Sequence, residues 1–196
     1  MNRSLGLYFQ FILSLCKLKK NFQIVSTLYK PTFKFNLQQD YIFKAHFDPK
    51  ISLIFVLICL LWKFETISFD SPGGVVMEAL QISKIICERG LNTLEASGSL
   101  CASACPFSFA GGEKRFASKI GYIGVHQTYY EEPGLLQVLF AVEDIQMLQG
   151  DILHLLIAMG VDPWIMVPAL KTPQDEIYFF IEDELLKHKL ATKMVK

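Results

Sequence analysis

Alternating strand and helix patterns in the first half of the chain constrain its fold more than any other feature. YIFKAHF (41–47) is typical of a strand, the apolar stretch 50–63 of a helix, and FETISFD (64–70) of a second strand. A helical pattern follows at 75–89, and Gly90 ends it. Because a β-α-β-α order requires crossovers, we predict an α/β fold with a mostly parallel sheet covered by helices.

The second half of the chain extends this pattern. LNTLEAS (91–97) and KIGYIGVHQ (119–127) are typical of strands, and an apolar stripe from Leu135 to Met159 predicts a long helix. Three shorter elements follow: a helix at 163–170, a strand at YFFI (178–181) and a helical turn at EDELLKHK (182–189). We interpret residues 1–40 as a leader and variable segment, followed by one domain at 41–196.

Composition and charge narrow the function classes. Of the 196 residues, 52% are apolar and 19% are charged, which supports a buried core and rules out a disordered chain. The 19 basic and 19 acidic side chains give zero net charge, so we expect no nucleic-acid partner. None of the five cysteines stands at zinc-site spacing from a histidine, so we expect no metal.

Two apolar stretches raise the question of a membrane segment. Residues 51–62 are fewer than the about 20 that a spanning helix needs, so we interpret them as a buried helix. Residues 5–16 have the length of a signal-peptide core, but positive charge flanks both ends and no clear cleavage site follows. Export or anchoring through residues 1–20 stays open, and with it a cytoplasmic, exported or membrane-associated location.

Three segments carry residues suited to acyl transfer. They are the turn Ser-Pro-Gly-Gly (71–74), the segment Cys-Ala-Ser-Ala-Cys (101–105) and the strand end Gly-Val-His-Gln (124–127). A serine hydroxyl becomes a nucleophile when an adjacent base takes its proton, and histidine suits that task at neutral pH. We therefore predict Ser103 as the nucleophile and His126 as the base.

Two backbone N–H groups are predicted to stabilise the negative charge that develops during acyl transfer. Ser103 stands between alanines at the start of a helix, where N–H groups lack helical partners, so Ala104 is one predicted donor. The glycine turn has no side chain to keep other backbone away, so we predict Gly74 as the second. This chemistry requires no cofactor.

These three motifs, in this order and spacing, resemble those of the ClpP-like serine peptidases, relatives of the Clp protease proteolytic subunit in the crotonase-like superfamily. The resemblance covers roughly residues 41–192. It is strongest toward short bacterial ClpP-like proteins with a Cys-Ala-Ser-Ala-Cys motif. It implies a β-α superhelical sandwich in which the long helix after the histidine helps subunits to meet.

The resemblance also implies a third catalytic residue. The family has an aspartate about fifty residues after its histidine, shortly before an apolar strand, and this carboxylate orients the imidazole. Asp175 lies 49 residues after His126 and fits this spacing best. Glu176 is the alternative, because the local gap is ambiguous by one residue.

By this resemblance the chain is expected to be a serine hydrolase, specifically a peptidase that cleaves polypeptides and assembles into a homo-oligomer. An unfoldase partner is not identified by the sequence. Two alternatives stay open. One is a catalytically inactive ClpP-like assembly subunit with an incomplete triad, and the other is a crotonase-type acyl-CoA enzyme, which shares the oxyanion hole but does not use a Ser-His pair.

Cys101 and Cys105 stand on either side of Ser103. In a regular helix their Cα atoms would be about 6 Å apart, a separation that a disulfide accepts, and a disulfide would imply an oxidising compartment. The favoured interpretation is two small buried hydrophobic side chains that tighten the turn around the serine.

Overall fold

In the computed structural model, the described part of the chain comprises residues 34–35, 40–43, 46–48, 50–61, 63–129 and 137–196. The predicted leader at residues 1–20 lies outside the described residues, as does most of the variable segment 1–40.

Strands and helices alternate along most of the described chain. In order, the elements are β1 (Lys34–Phe35), β2 (Asp40–Phe43), α1 (Ile51–Leu61), β3 (Thr66–Phe69), α2 (Val76–Glu88), β4 (Asn92–Glu95), β5 (Leu100–Ala102), α3 (Cys105–Phe109), β6 (Arg115–Ser118), β7 (Tyr122–Val125), α4 (Gln137–Ala158), a 3-10 helix (Pro163–Ile165), α5 (Met166–Lys171), β8 (Tyr178–Phe179), α6 (Glu182–Lys187) and β9 (Lys193–Val195). The predicted α/β class is confirmed.

The described strands form two sheets. The larger sheet has the order β1-β2-β3-β4-β6-β9, and each neighbouring pair is parallel except β1 with β2. Helix α1 connects β2 to β3 and helix α2 connects β3 to β4, which are the crossovers that parallel pairs need. In the smaller sheet, β7 pairs with β5 in parallel and with β8 in antiparallel fashion. The prediction of a mostly parallel sheet is therefore confirmed. The structure also contains a second, three-stranded sheet, which the strand and helix patterns do not predict.

The hydrophobic core is formed by residues of both the strands and the helices. Its largest fully buried side chains come from α1, β3, α2, α3, β7, α4 and the segment before α1. They are Phe47, Phe55, Phe69, Phe109, Ile67, Ile82, Ile86, Ile123, Ile152 and Leu156. Burial of each such side chain stabilises the fold by about 1.5–3 kcal/mol relative to exposure.

Helix α1 differs from the fully buried helix that its composition predicts. One face, which carries Ile51, Phe55 and Ile58, packs into the core, whereas Leu53 and Leu60 are exposed. An almost wholly apolar stretch shows no polar face, so periodicity could not distinguish the two sides. Among the described helices, none combines the length and the apolar character that crossing a bilayer requires.

Candidate active site

Ser103 lies at the turn between β5 and α3. Its φ is +60°, a left-handed conformation that residues other than glycine rarely adopt. Hydrogen bonds hold the strand side of the turn, because the N–H of Ala102 donates to the carbonyl of Ser71 (3.0 Å) and that of Ser103 to the carbonyl of Gly124 (2.9 Å). Since α3 begins at Cys105, the chain changes from strand to helix within two residues of the serine.

The glycine turn packs directly against this serine. A Cβ atom built on Gly73 would lie 2.5 Å from the Cβ of Ser103 and 3.0 Å from the nitrogen of Ala104, which no side chain could tolerate. Gly73 and Gly74 also have φ values of +109° and +135°, which other residues rarely adopt. The structure thus brings the predicted Ser-Pro-Gly-Gly turn and the predicted serine segment together.

Two backbone donors beside the serine lack partners. Within the described part of the chain, the N–H groups of Gly74 and Ala104 donate no hydrogen bond. On either side of Gly74, the N–H of Phe47 donates to the carbonyl of Gly73 (2.7 Å) and that of Val75 to the carbonyl of Phe47 (2.7 Å). Ala104 precedes α3, where the first N–H groups have no helical acceptor. Free donors close to a nucleophile are what an oxyanion hole requires.

His126 follows β7, the strand that accepts the hydrogen bond from the N–H of Ser103. Its imidazole is half-buried, and its Nδ1 lies 2.8 Å from the carbonyl oxygen of Gln127. In the tautomer with the hydrogen on Nδ1, the ring donates to this carbonyl and Nε2 is left as a proton acceptor. Between the described side chains of Ser103 and His126 there is no direct hydrogen bond. The two residues are connected through the backbone of β7.

The acid implied by the family resemblance forms no hydrogen bond with the imidazole in the described structure. Asp175 and Glu176 precede β8, which pairs with β7 through Tyr178 and Val125. Both acidic side chains are exposed, and neither forms a hydrogen bond with His126 in the described structure. The ring instead contacts the backbone carbonyl of Gln127. The structure therefore brings Ser103 together with the Gly73-Gly74 turn and Ala104, but it does not join Asp175 or Glu176 to the imidazole by a hydrogen bond.

Gln127, whose carbonyl contacts the imidazole, is itself held by two hydrogen bonds. The N–H of Gln127 donates to the carbonyl of Thr172 (2.9 Å), and its Nε2 donates to the carbonyl of Leu170 (2.8 Å). These bonds attach the end of β7 to α5. A role for the Gln127 carbonyl could not be predicted, because it depends on the backbone path and not on a residue type.

A disulfide joins Cys101 and Cys105 across the serine, with Cα atoms 5.1 Å apart. Both cysteines are buried, as the favoured interpretation expects, but that interpretation is wrong in leaving them unpaired. Residues 101–105 are not a regular helix, and the change from β5 to α3 brings the two cysteines together. Among the described cysteines, Cys59 and Cys87 are free, and burial raises the pKa of the Cys59 thiol to about 11.

A second histidine lies beside the glycine turn and was not predicted as part of the site. A Cβ atom built on Gly74 would lie 2.8 Å from Cε1 of His46. Nδ1 of His46 is 3.1 Å from Oδ1 of Asp48, and both side chains are exposed. His46 lies close to Gly74 because the neighbouring Phe47 forms a parallel bridge with Gly74. This pairing is long-range and has no local sequence signal.

Neither a metal-binding cluster of the described residues nor a comparison with known proteins adds a residue to this site. In the portion of the chain that the structure describes, no three His, Cys, Asp or Glu side chains are grouped so that they could hold a metal ion. No model of a known protein family matches the chain, and no curated protein matches it.

Proposed function

We propose that the chain is a serine hydrolase of the ClpP-like peptidase type, with a ClpP/crotonase-like β-α sandwich. Ser103 is the nucleophile, His126 is the base, and the N–H groups of Gly74 and Ala104 form the oxyanion hole. The observation that carries this proposal is the close approach of Gly73 to Ser103. That approach brings two unpaired backbone donors to one serine at a strand-to-helix turn.

The proposed reaction uses these groups in two stages. Nε2 of His126 accepts the proton as Oγ of Ser103 attacks the substrate carbonyl, and the resulting oxyanion accepts hydrogen bonds from Gly74 and Ala104. The imidazolium then protonates the leaving amine, which leaves an acyl-serine. In the second stage Nε2 takes a proton from water, the hydroxide attacks the ester, and the imidazolium returns the proton to Oγ.

We assign the orientation of the imidazole to the carbonyl of Gln127, at 2.8 Å from Nδ1. A carbonyl fixes the tautomer, as a carboxylate does, but it supplies no negative charge to stabilise the imidazolium. The site is therefore proposed as a Ser-His pair. The lack of a direct hydrogen bond from Ser103 to the ring is compatible with this role, because such bonds often form only when substrate binds.

The family resemblance makes a polypeptide the proposed substrate and a homo-oligomer the proposed assembly. One alternative is favoured by a specific observation. Because Asp175 and Glu176 are exposed and form no hydrogen bond with the imidazole, an inactive ClpP-like assembly subunit is the second candidate. No observation of the site favours the crotonase-type acyl-CoA enzyme.

Labelling with a fluorophosphonate probe tests the proposal, because only an activated serine reacts with it quickly. We expect one adduct, mapped by mass spectrometry to Ser103, and no adduct in Ser103→Ala. His126→Ala should slow labelling by about 10²–10⁴-fold, the range of general-base effects. The matched control is His154→Ala, which removes an exposed imidazole on α4 and should leave the rate unchanged.

Three results would contradict the proposal. An adduct on another serine would reject Ser103 as the nucleophile. No adduct, under conditions that label a known serine hydrolase, would favour the inactive assembly subunit. Binding of an acyl-CoA thioester without an adduct would favour the acyl-CoA enzyme.

A further inference from the structure

The Cys101–Cys105 disulfide spans the turn that carries Ser103. On the strand side, the N–H groups of Ala102 and Ser103 are bonded to neighbouring backbone. On the helix side, α3 is attached to α2, because Oγ of Ser108 donates to the carbonyl of Ala79 at 2.9 Å. Within the described chain, no hydrogen bond joins residues 101–103 to residues 104–106. Apart from the peptide backbone itself, the Cys101–Cys105 disulfide is the bond that links the two sides in the described chain.

The turn needs such a link because its conformation is unfavourable. Ser103 has a φ of +60°, and a left-handed backbone at a residue with a Cβ atom is higher in energy than the right-handed one. A conformation of this kind persists only where surrounding structure holds it. The absence of a side chain at Gly73 leaves room for this backbone but does not hold it there.

The surroundings of the two sulfur atoms favour a local structural role. Cys101 and Cys105 are both 0% exposed, so a reductant in solution does not reach the disulfide readily in the folded protein. The closed loop is also short, with a sequence separation of four, and the global stabilisation by a disulfide is smallest for short loops. Burial argues against a redox switch, and loop length argues against a mainly global role.

We propose that the Cys101–Cys105 disulfide is a positioning element for the nucleophile. It holds Ser103 in the left-handed conformation and thereby keeps its hydroxyl and the N–H of Ala104 beside the glycine turn. This inference rests on the proposed function of Ser103. Without the disulfide, the turn relaxes toward right-handed backbone. Displacements of about 1 Å can slow an enzyme about 10²-fold, so we expect a loss of 10–100-fold in the rate of acyl transfer.

The first test compares two double variants that each remove two cysteines. Cys101→Ala/Cys105→Ala removes the disulfide, whereas Cys59→Ala/Cys87→Ala removes the two described free thiols and keeps it. We expect the first to lower the maximal rate of fluorophosphonate labelling about 10–100-fold, with an unchanged half-saturating probe concentration. The second should stay within about 2-fold of wild type. Near-ultraviolet circular dichroism reports whether each variant is folded.

A second measurement uses the wild-type sequence and so avoids cavities left by alanine. The protein is unfolded in urea with a reductant, refolded as the dithiol, and then reoxidised, with each form checked by peptide mapping. We expect slow labelling of Ser103 in the folded dithiol and recovery of the rate when the disulfide closes again. Equal rates for the folded dithiol and disulfide forms would overturn the inference.

The remaining outcomes are also decisive. If both the alanine variant and the dithiol form are unfolded, the disulfide serves global stability and the positioning role is rejected. If the oxidised wild-type protein is not labelled at Ser103, the proposed function fails and this inference falls with it. Failure of the proposed function and failure of this inference are distinguishable, because only failure of the proposed function abolishes labelling of Ser103 in the untreated protein.

Discussion

A single glycine decides how closely the predicted oxyanion hole approaches the nucleophile. Gly73 has a φ of +109°, and any side chain there would collide with the Cβ of Ser103 and the carbonyl of Ala102. The position therefore combines an unusual backbone conformation with close packing. Gly98 shares only the first property, since its φ is +74° and a Cβ there would meet nothing within 4 Å.

Gly73→Ala should therefore damage the site more than backbone strain alone explains. We expect it to lower the free energy of unfolding by about 2–4 kcal/mol and to reduce the labelling of Ser103 at least 10-fold. Gly98→Ala should lower stability by about 1 kcal/mol and leave labelling unchanged. Urea unfolding and the fluorophosphonate rate measure both effects. Equal behaviour of the two variants would argue against close packing of the turn on the serine.

The two acidic residues near β8 provide a test of how the imidazole is oriented. Because Nδ1 of His126 contacts the Gln127 carbonyl, we expect Asp175→Asn and Glu176→Gln to change the labelling rate by less than about 3-fold. Loss of the acid in a Ser-His-Asp triad slows the reaction by about 10⁴-fold. A loss of that size in either variant would show that the carboxylate joins the site and would restore the triad implied by the family resemblance.

At the level of secondary structure, one buried carboxylate connects β4 to the segments around it. Glu95 is 0% exposed, and its Oε1 accepts hydrogen bonds from Oγ of Ser99 (2.8 Å) and from the N–H of Tyr122 (3.1 Å). Its Oε2 accepts from the N–H of Ser118 at 3.2 Å. Burial raises the pKa of the Glu95 carboxyl above its ordinary value, and the three donors only partly oppose that effect.

This raised pKa has a defined consequence for stability. The folded protein binds the Glu95 proton more tightly than the unfolded chain does, so its contribution to stability is fully present below the ordinary glutamate range. It is lost as the pH rises through the raised pKa. Glu95→Gln removes this titration, so the free energy of unfolding of the variant minus that of wild type should increase from pH 4 to pH 7. Urea unfolding across this range measures the difference, and a flat or falling difference would contradict the assignment.

The elements that the sequence predicts well are those with local patterns. The apolar stretch 50–63 becomes α1 (Ile51–Leu61), and 75–89 becomes α2 (Val76–Glu88), because helix periodicity is visible within one segment. Strands β5, β6 and β9 are not predicted. Each has three or four residues, and β9 forms only by pairing with β6, far away in sequence.

The candidate site also combines features that depend on local sequence with features that depend on the fold. The close approach of the Ser-Pro-Gly-Gly turn to the serine segment agrees with residue types suited to a turn and to a helix start, whereas the roles of Ser103, Gly74 and Ala104 stay predictions. The cysteine spacing indicates the disulfide only as an alternative, and no residue pattern indicates the Gln127 carbonyl, since both contacts depend on how the backbone leaves a strand. Residue types suited to a reaction can be identified in the sequence, whereas the orientation of their side chains depends on the fold.

At the scale of the whole molecule, one buried arginine joins the last strand to the rest of the fold. The guanidinium of Arg115 on β6 donates to the carbonyls of Leu190 (3.1 Å) and Lys189 (2.9 Å). It also donates to the carbonyls of Gly112 (2.9 Å) and Met159 (3.4 Å). The side chain thus connects the segment before β9 with the ends of α3 and α4.

Loss of this side chain should loosen the carboxyl-terminal region as a unit. We expect Arg115→Met to lower the free energy of unfolding by about 3–5 kcal/mol, because four carbonyls in buried or partly buried contacts lose a charged donor. Lys114→Met, which alters an exposed neighbour, should have an effect below about 0.5 kcal/mol. Urea unfolding measures both. A loss below about 1 kcal/mol for Arg115→Met would mean that β9 is held mainly by its pairing with β6.

The most direct test of the proposed site is a crystal structure of the protein after reaction with the fluorophosphonate. We predict a phosphorus bonded to Oγ of Ser103, with the phosphonyl oxygen about 2.7–3.1 Å from the nitrogens of both Gly74 and Ala104. An adduct whose phosphonyl oxygen points away from these two N–H groups, or one attached to a different side chain, would contradict the account.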